Sequence, residues 1–82
     1  MTHVAHDLHS EFPNDVEILH QLKMSNHHYQ KLADTYRDVN REIHRIESGI
    51  EAASDARLEG LKKQRLAMLD EVTGMIRKAR QG

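Results

Sequence analysis

Apolar side chains recur through the middle of the chain at alternating intervals of three and four residues. The series begins at Tyr29 and continues with Leu32, Tyr36, Val39, Ile43, Ile46 and Ile50. This spacing is typical of a left-handed coiled coil, because it keeps one stripe of a helix facing a partner helix. The pattern therefore predicts a long amphipathic helix over residues 26–50.

A second apolar series near the end of the chain keeps the same rhythm, with one polar interruption at Arg65. Its members are Leu58, Leu61, Met68, Val72 and Met75, and Leu69 and Ile76 widen the stripe. Either Ser54 or Asp55 can cap the start of this helix, which we predict over residues 55–80. The loop that contains Gly49 is short, so we expect the two helices to fold back into an antiparallel αα-hairpin.

The predicted hairpin buries a continuous row of apolar side chains between its two helices. We call this row the hairpin seam, and it consists of Tyr29, Leu32, Tyr36, Val39, Ile43, Ile46, Leu58, Leu61, Leu69, Val72 and Ile76. The antiparallel alignment places Arg65 opposite Val39 and Asn40. Because arginine keeps its proton in proteins, burial there would require an acceptor such as the Asn40 carbonyl.

Two interpretations of Arg65 stay open. In the first, Asn40 and Arg65 form a polar layer that sets the register or the oligomeric state of the helices, at some cost in stability. In the second, the aliphatic stem of Arg65 lies on the seam while its guanidinium reaches water. Both interpretations give Arg65 a structural role rather than a chemical one.

The N-terminal part of the chain predicts one further, shorter helix. Pro13 suits the first turn of a helix, and Asn14 with Glu17 matches a capping box. The apolar positions that follow are Val16, Ile18, Leu19 and Leu22. They predict an amphipathic helix over residues 14–24, preceding the hairpin.

Residues 1–12 contain little apolar surface, so we expect a flexible, histidine-containing tail that Leu8 and Phe12 partly anchor. Residues 13–82 are then expected to form a single helical domain. A chain of 82 residues is small, and a domain of this size buries only about 60% of its unfolded surface. There is no cysteine for disulfide bonds, so a partner chain is the main remaining source of stability.

An apolar flank lies beyond the predicted seam and consists of Ile18, Leu66, Met68 and Met75. A two-helix hairpin would leave this flank poorly covered. We therefore expect a homodimer in which the hairpins associate into a helical bundle.

Four segments of the chain are distinctive: EFP at 11–13, NHHYQKLADTY at 26–36, VNREIHRIE at 39–47 and LKKQRLAMLDEV at 61–72. Together they resemble the YdcH-like family of small bacterial proteins, a domain of unknown function, over about residues 8–78. The shared positions are an aromatic at Tyr29, a histidine at His28 and an acidic pair at Asp70 and Glu71. His27 departs from the proline or small residue that is frequent there. The resemblance implies helical hairpins or coiled coils, and it implies no catalytic or ligand residue.

The histidines invite comparison with a metal site, since imidazole is a common ligand of transition metals. His3, His6 and His9 recur in the tail, and His27 and His28 are adjacent. Adjacent residues on a helix point about 100° apart, so His27 and His28 cannot chelate one ion together. We expect no metal site and no cofactor. For His28 we expect a structural polar contact rather than a catalytic role, and a carbonyl at the end of the preceding helix is one available acceptor.

A row of arginines, Arg37, Arg41 and Arg45, follows one outer side of the first hairpin helix and could bind a partner protein or track phosphates. Acidic residues alternate with this row, and the formal net charge of the chain is only −1. Interleaved charges at helical spacing usually form a solvated face with weak ion pairs. Nucleic-acid binding is therefore the alternative, and it is not the expected function.

Catalysis and membrane insertion have no support in the sequence. There is no cysteine nucleophile, and the four glycines are too far apart to form a phosphate-binding loop. No apolar run approaches the roughly 20 residues that a membrane span requires. We expect an all-α cytoplasmic protein that is not an enzyme. Its expected role is a structural or protein-interaction module that acts through helix–helix association, with a partner that the sequence does not name.

Overall fold

The computed structural model describes residues 8–81, and every regular element in that range is helical. The elements are α1 (Leu8–Glu11), a 3-10 turn (Pro13–Asp15), α2 (Val16–Ser25), α3 (His27–Glu47) and α4 (Asp55–Gln81). No β-strand occurs among these residues. The predicted all-α class is confirmed.

The start of α3 is fixed by a side-chain cap. The Oδ1 atom of Asn26 accepts a hydrogen bond from the backbone N–H of Tyr29 at 2.9 Å. Asn26 itself has an extended backbone, which separates α3 from α2 and lets the chain turn between them. The cap satisfies one of the four N–H groups that every helix start leaves without a partner.

The end of α3 comes at Glu47 rather than at the predicted Ile50. Gly49 adopts a φ of 81°, a left-handed conformation that suits glycine and commonly ends a helix. Ile50 consequently lies outside the helix, with 69% of its surface exposed. The next helix, α4, begins with Ser54 as its cap, because Ser54 Oγ accepts a hydrogen bond from the N–H of Arg57 at 3.1 Å.

The capping box predicted for Asn14 and Glu17 does not form. Pro13 begins a 3-10 turn instead, so Asn14 lies within the turn and α2 starts at Val16. The residue at the cap position is Asp15, which makes no capping hydrogen bond with its side chain. Its carboxylate is engaged elsewhere, since Arg80 near the end of α4 donates a hydrogen bond to it.

The expected tail divides into two parts. Residues 1–7 lie outside the described residues, whereas Leu8–Glu11 form α1 and Leu8 is buried in the core. Phe12 is half-buried against the same core. The packed part of the chain therefore includes Leu8, which precedes the predicted domain boundary at residue 13, because burying Leu8 offsets the cost of ordering this short segment.

The core lies where α1, α2, α3 and α4 meet. Its buried members are Leu8, Leu19, Tyr29, Tyr36, Val39, Ile43, Met68, Val72 and Ile76. Met68 was expected on the uncovered flank, but only 5% of its surface is exposed. Of the other flank residues, Ile18 and Met75 are half-buried and Leu66 is exposed. The apolar flank is thus narrower than the sequence predicts, because Met68 is part of the core.

Polar side chains also join α3 to α4 along their length. Glu47 pairs with Lys62, Asn40 with Arg65, and His28 with Glu71. From Glu47 through Asn40 to His28, these α4 partners lie progressively nearer the C-terminus of the chain. A further ion pair, between Glu42 and Arg57, joins the helices near the loop. The two long helices therefore pack in opposite directions, connected by residues 48–54.

Candidate functional site

Ten of the eleven residues of the predicted hairpin seam lie in the core or pack against it, and Ile46 is half-buried outside this cluster. Six of them are buried: Tyr29, Tyr36, Val39, Ile43, Val72 and Ile76. The other five are half-buried: Leu32, Ile46, Leu58, Leu61 and Leu69. Burial is thus deepest around Tyr36 and Val72, and it becomes shallower toward the loop that joins α3 to α4.

Arg65 and Asn40 meet across the contact between α3 and α4. The Nη1 atom of Arg65 donates a hydrogen bond to Oδ1 of Asn40 at 3.0 Å, and both residues are half-buried. The guanidinium is therefore neither enclosed in the core nor released into water. This position combines the two interpretations of Arg65, since its head has a specific acceptor and keeps access to solvent.

A groove lies beside this pair, on the half of the molecule where burial is shallower. We call it the α3–α4 groove; its volume is about 510 Å³, and its lining residues are Glu11, Ile43, His44, Glu47, Lys62, Arg65, Leu66 and Leu69. Glu11 reaches it from α1, and the other residues belong to α3 and α4. Several of these residues carry signals in the sequence, but their meeting in one groove depends on the packing of α1, α3 and α4.

A carboxylate surrounded by cationic groups lies at this groove. Lys62 Nζ is 2.8 Å from Glu47 Oε2, and the hydrogen bond and charge of Lys62 lower the pKa of Glu47. Desolvation opposes this effect, and the charges of Arg65 and His44 add to it. Glu47 is therefore an anion at neutral pH, stabilised mainly by Lys62.

Leu66 supplies the exposed apolar side chain of the groove. It has 60% of its surface exposed. Its neighbours along the same helix, Arg65 and Leu69, are half-buried. A single exposed leucine is ordinary on a protein surface. Here, however, it lines a groove together with charged residues of both signs.

The row of Arg37, Arg41 and Arg45 does not form a uniform cationic surface. Arg37 pairs with Asp34 at 3.3 Å, and Arg45 pairs with Glu51 at 3.5 Å. Arg41 lines a separate depression together with Asp38, Glu42 and Glu51. Acidic side chains thus accompany the whole row.

His28 makes a structural polar contact, and its partner is a carboxylate on α4 rather than a carbonyl at the end of α2. Its Nε2 atom lies 2.5 Å from Oε2 of Glu71 on α4, so it does not bind a carbonyl at the end of α2. Gln30 makes a contact of that kind, because its Nε2 donates a hydrogen bond to the carbonyl of Lys23 at 2.6 Å. The pairing with Glu71 was not predicted, although an acidic residue on the facing helix was the available signal in the sequence.

Between residues 8 and 81, no three His, Cys, Asp or Glu side chains are grouped so that they could hold a metal ion. His3 and His6 lie outside this range. Within the same range, no helix combines the length and the apolar character needed to cross a membrane.

Comparison with known proteins relates the chain to one family. No curated protein and no solved structure matches the sequence. The model of a family described as "Protein of unknown function (DUF465)" matches residues 30–76, which span most of α3 and α4. Because this match covers more than half of the chain, the protein belongs to the DUF465 family, which includes the YdcH-like small helical proteins.

Proposed function

We propose that this protein is a small interaction module that acts through helix–helix association, and that its first partner is a second copy of itself. In this proposal α3 and α4 serve as an antiparallel, coiled-coil-like hairpin, and two hairpins associate into a helical bundle. Other helical proteins could bind the same surface. The proposal assigns no catalytic role to the chain.

The observation that carries the proposal is that much of the apolar surface around the core is only partly buried. The buried members of the core are matched by an equal number of half-buried apolar residues: Phe12, Ile18, Leu22, Leu32, Ala33, Leu58, Leu61, Leu69 and Met75. Complete burial of one large aliphatic side chain contributes about 1.5–3 kcal/mol to the free energy of folding. A half-buried side chain contributes only part of this stabilisation. A partner helix that covered them would therefore add stability that the single chain lacks.

The alternative function, an accessory role on nucleic acid, has weaker support. Binding to phosphates requires cations whose charge is not already balanced. Arg37 and Arg45 each pair with an acidic neighbour, and the net charge of the chain is −1. Replacing Arg37, Arg41 and Arg45 together with alanine should leave the function unchanged if helix association is the activity.

Sedimentation equilibrium at several concentrations, up to the high micromolar range, tests the proposal. We expect a reversible monomer–dimer equilibrium, accompanied by helical circular dichroism at every concentration. A strictly monomeric and well-folded species over the whole range would contradict self-association. A labelled oligonucleotide, added at low and high salt, tests the alternative directly. Binding that is sensitive to salt and lost in the triple arginine variant would favour nucleic acid instead.

A further inference from the structure

We propose that the second copy docks on the α3–α4 groove, with the two copies related by a two-fold axis that passes close to Leu66. This inference rests on the proposed self-association and adds the surface, the geometry and the residues in contact. In such an isologous contact each chain presents the same patch, so the patch must be complementary to itself.

The charges of the groove meet this requirement. Lys62 and Arg65 are cationic, and Glu11 and Glu47 are anionic, so the formal charges of these four residues cancel. A patch that carries both signs can face a rotated copy of itself with each cation opposite an anion. A partner of one sign, such as a phosphate backbone or a strongly acidic peptide, would meet like charges at Glu11 and Glu47.

The apolar part of the groove provides the anchor. Leu66 exposes 60% of its surface, and Ile43 and Leu69 line the same groove of about 510 Å³. Protein interfaces commonly place a desolvated apolar anchor inside a polar rim that excludes water. Leu66 of each chain would fill this role by packing against Leu66 of the other copy near the axis, with Leu69 beside it.

Arg65 can contribute to both contacts at once. Its guanidinium carries five N–H donors, and the Nη1 atom binds Asn40 within the chain. Its half-buried position at the groove keeps it within reach of acceptors on a second copy. The Asn40 contact would then hold the guanidinium in place before the second chain arrives, which lowers the entropy cost of association.

Other exposed apolar residues lie outside the α3–α4 groove. Met24 and Ile50 are more exposed than Leu66, at 73% and 69%. Neither lines the α3–α4 groove. They are therefore suitable control positions. A substitution at either one reports nonspecific hydrophobic association, not contact at the α3–α4 groove.

The first experiment compares Leu66→Asp with Ile50→Asp by sedimentation. Leu66→Asp should weaken dimerisation by about tenfold or more, because the new carboxylate would be desolvated at the interface. Ile50→Asp should leave the dissociation constant within about twofold of the wild type. Circular dichroism should show an unchanged helix content in both variants, since both positions are exposed.

The second experiment exchanges charges between chains. Lys62→Glu and Glu47→Lys each break the pair within the chain and place like charges opposite each other in a homodimer. Each variant alone should therefore dimerise more weakly than the wild type. An equimolar mixture should recover dimerisation, because the heterodimer brings the new carboxylate of one chain to the new ammonium group of the other. Recovery on mixing requires contact between chains, which the pair within one chain cannot produce.

The third experiment is disulfide cross-linking through a single introduced cysteine, which is possible because the chain contains no native cysteine. The Leu66→Cys variant should form a disulfide-linked dimer under mild oxidation at low concentration. The Met24→Cys variant should not, because a disulfide requires Cβ atoms about 3.5–4.5 Å apart.

The outcomes of these experiments separate the two proposals. A wild-type dimer that is unaffected by Leu66→Asp, shows no recovery on mixing and does not cross-link in the Leu66→Cys variant would overturn the groove interface and leave self-association intact. A wild-type monomer would overturn both.

Discussion

Arg65 of α4 donates a hydrogen bond from Nη1 to Oδ1 of Asn40 on α3, at a distance of 3.0 Å. This contact introduces a polar pair between two helices whose other facing positions are mostly apolar. Only one alignment of the helices brings the pair together, because a shift of one helical turn would place a leucine, Leu61 or Leu69, against Asn40. The pair is therefore suited to specifying the alignment, even where it adds little to stability.

Replacing Arg65 with leucine tests this role. We expect Arg65→Leu to keep or slightly raise the free energy of unfolding, by about 0–1 kcal/mol, because an apolar residue extends the seam. We also expect a loss of the single oligomeric state, measured by sedimentation together with urea denaturation. Arg65→Lys keeps the charge and serves as the control. Higher stability of Arg65→Leu, with an unchanged oligomer and one set of NMR resonances, would contradict a specifying role.

Gly49, in the loop between α3 and α4, and Gly60, within α4, offer a matched pair of substitutions. Gly49→Ala should destabilise the protein by about 1–2 kcal/mol, because alanine is strained at the φ of 81° that Gly49 adopts. Gly60→Ala should stabilise α4 by about 0.5–1 kcal/mol, because an added Cβ there meets no atom within 4 Å. Thermal unfolding of both variants measures the difference. Equal shifts in the same direction would rule out the proposed role of Gly49 as the helix terminator.

The contribution of α2 to the core can be measured within that helix. Leu19 is completely buried, and Met24 in the same helix is 73% exposed. Leu19→Ala should therefore cost about 2–5 kcal/mol of unfolding free energy, through lost burial and the cavity that remains. Met24→Ala should change it by less than about 0.5 kcal/mol. Comparable losses in urea denaturation would mean that α2 does not pack on α3 and α4 as described.

The ion pair at the groove predicts a dependence on pH. Lys62 lowers the pKa of Glu47 in the folded state, mainly through its hydrogen bond. A carboxyl with a lowered folded pKa contributes stability above its unfolded pKa, and this contribution disappears as the pH falls through the folded pKa. We expect Lys62→Gln to raise the pKa of Glu47 toward its ordinary value in an NMR titration. An unchanged Glu47 titration would contradict the contact, and Lys63→Gln is the control on the neighbouring residue.

Much of the helical architecture was predictable because it depends on local periodicity. The spacing from Tyr29 to Ile46 describes one face of α3, and the spacing from Leu58 to Ile76 describes one face of α4. The alignment of these faces also places Asn40 and Arg65 near each other before any coordinates are known. Helix ends were less predictable, since the end of α3 depends on the conformation of Gly49 and the start of α2 on the turn at Pro13.

The sequence by itself determined the two long amphipathic helices and the side of each that faces the core, because a period near 3.6 residues records a buried stripe. Only the tertiary structure decided what covers the edges of that stripe. It buries Leu8 through α1, encloses Met68, pairs His28 with Glu71 and leaves Leu66 exposed. These outcomes depend on how separate helices approach one another, and residues far apart along the chain carry no periodic signal of their contact.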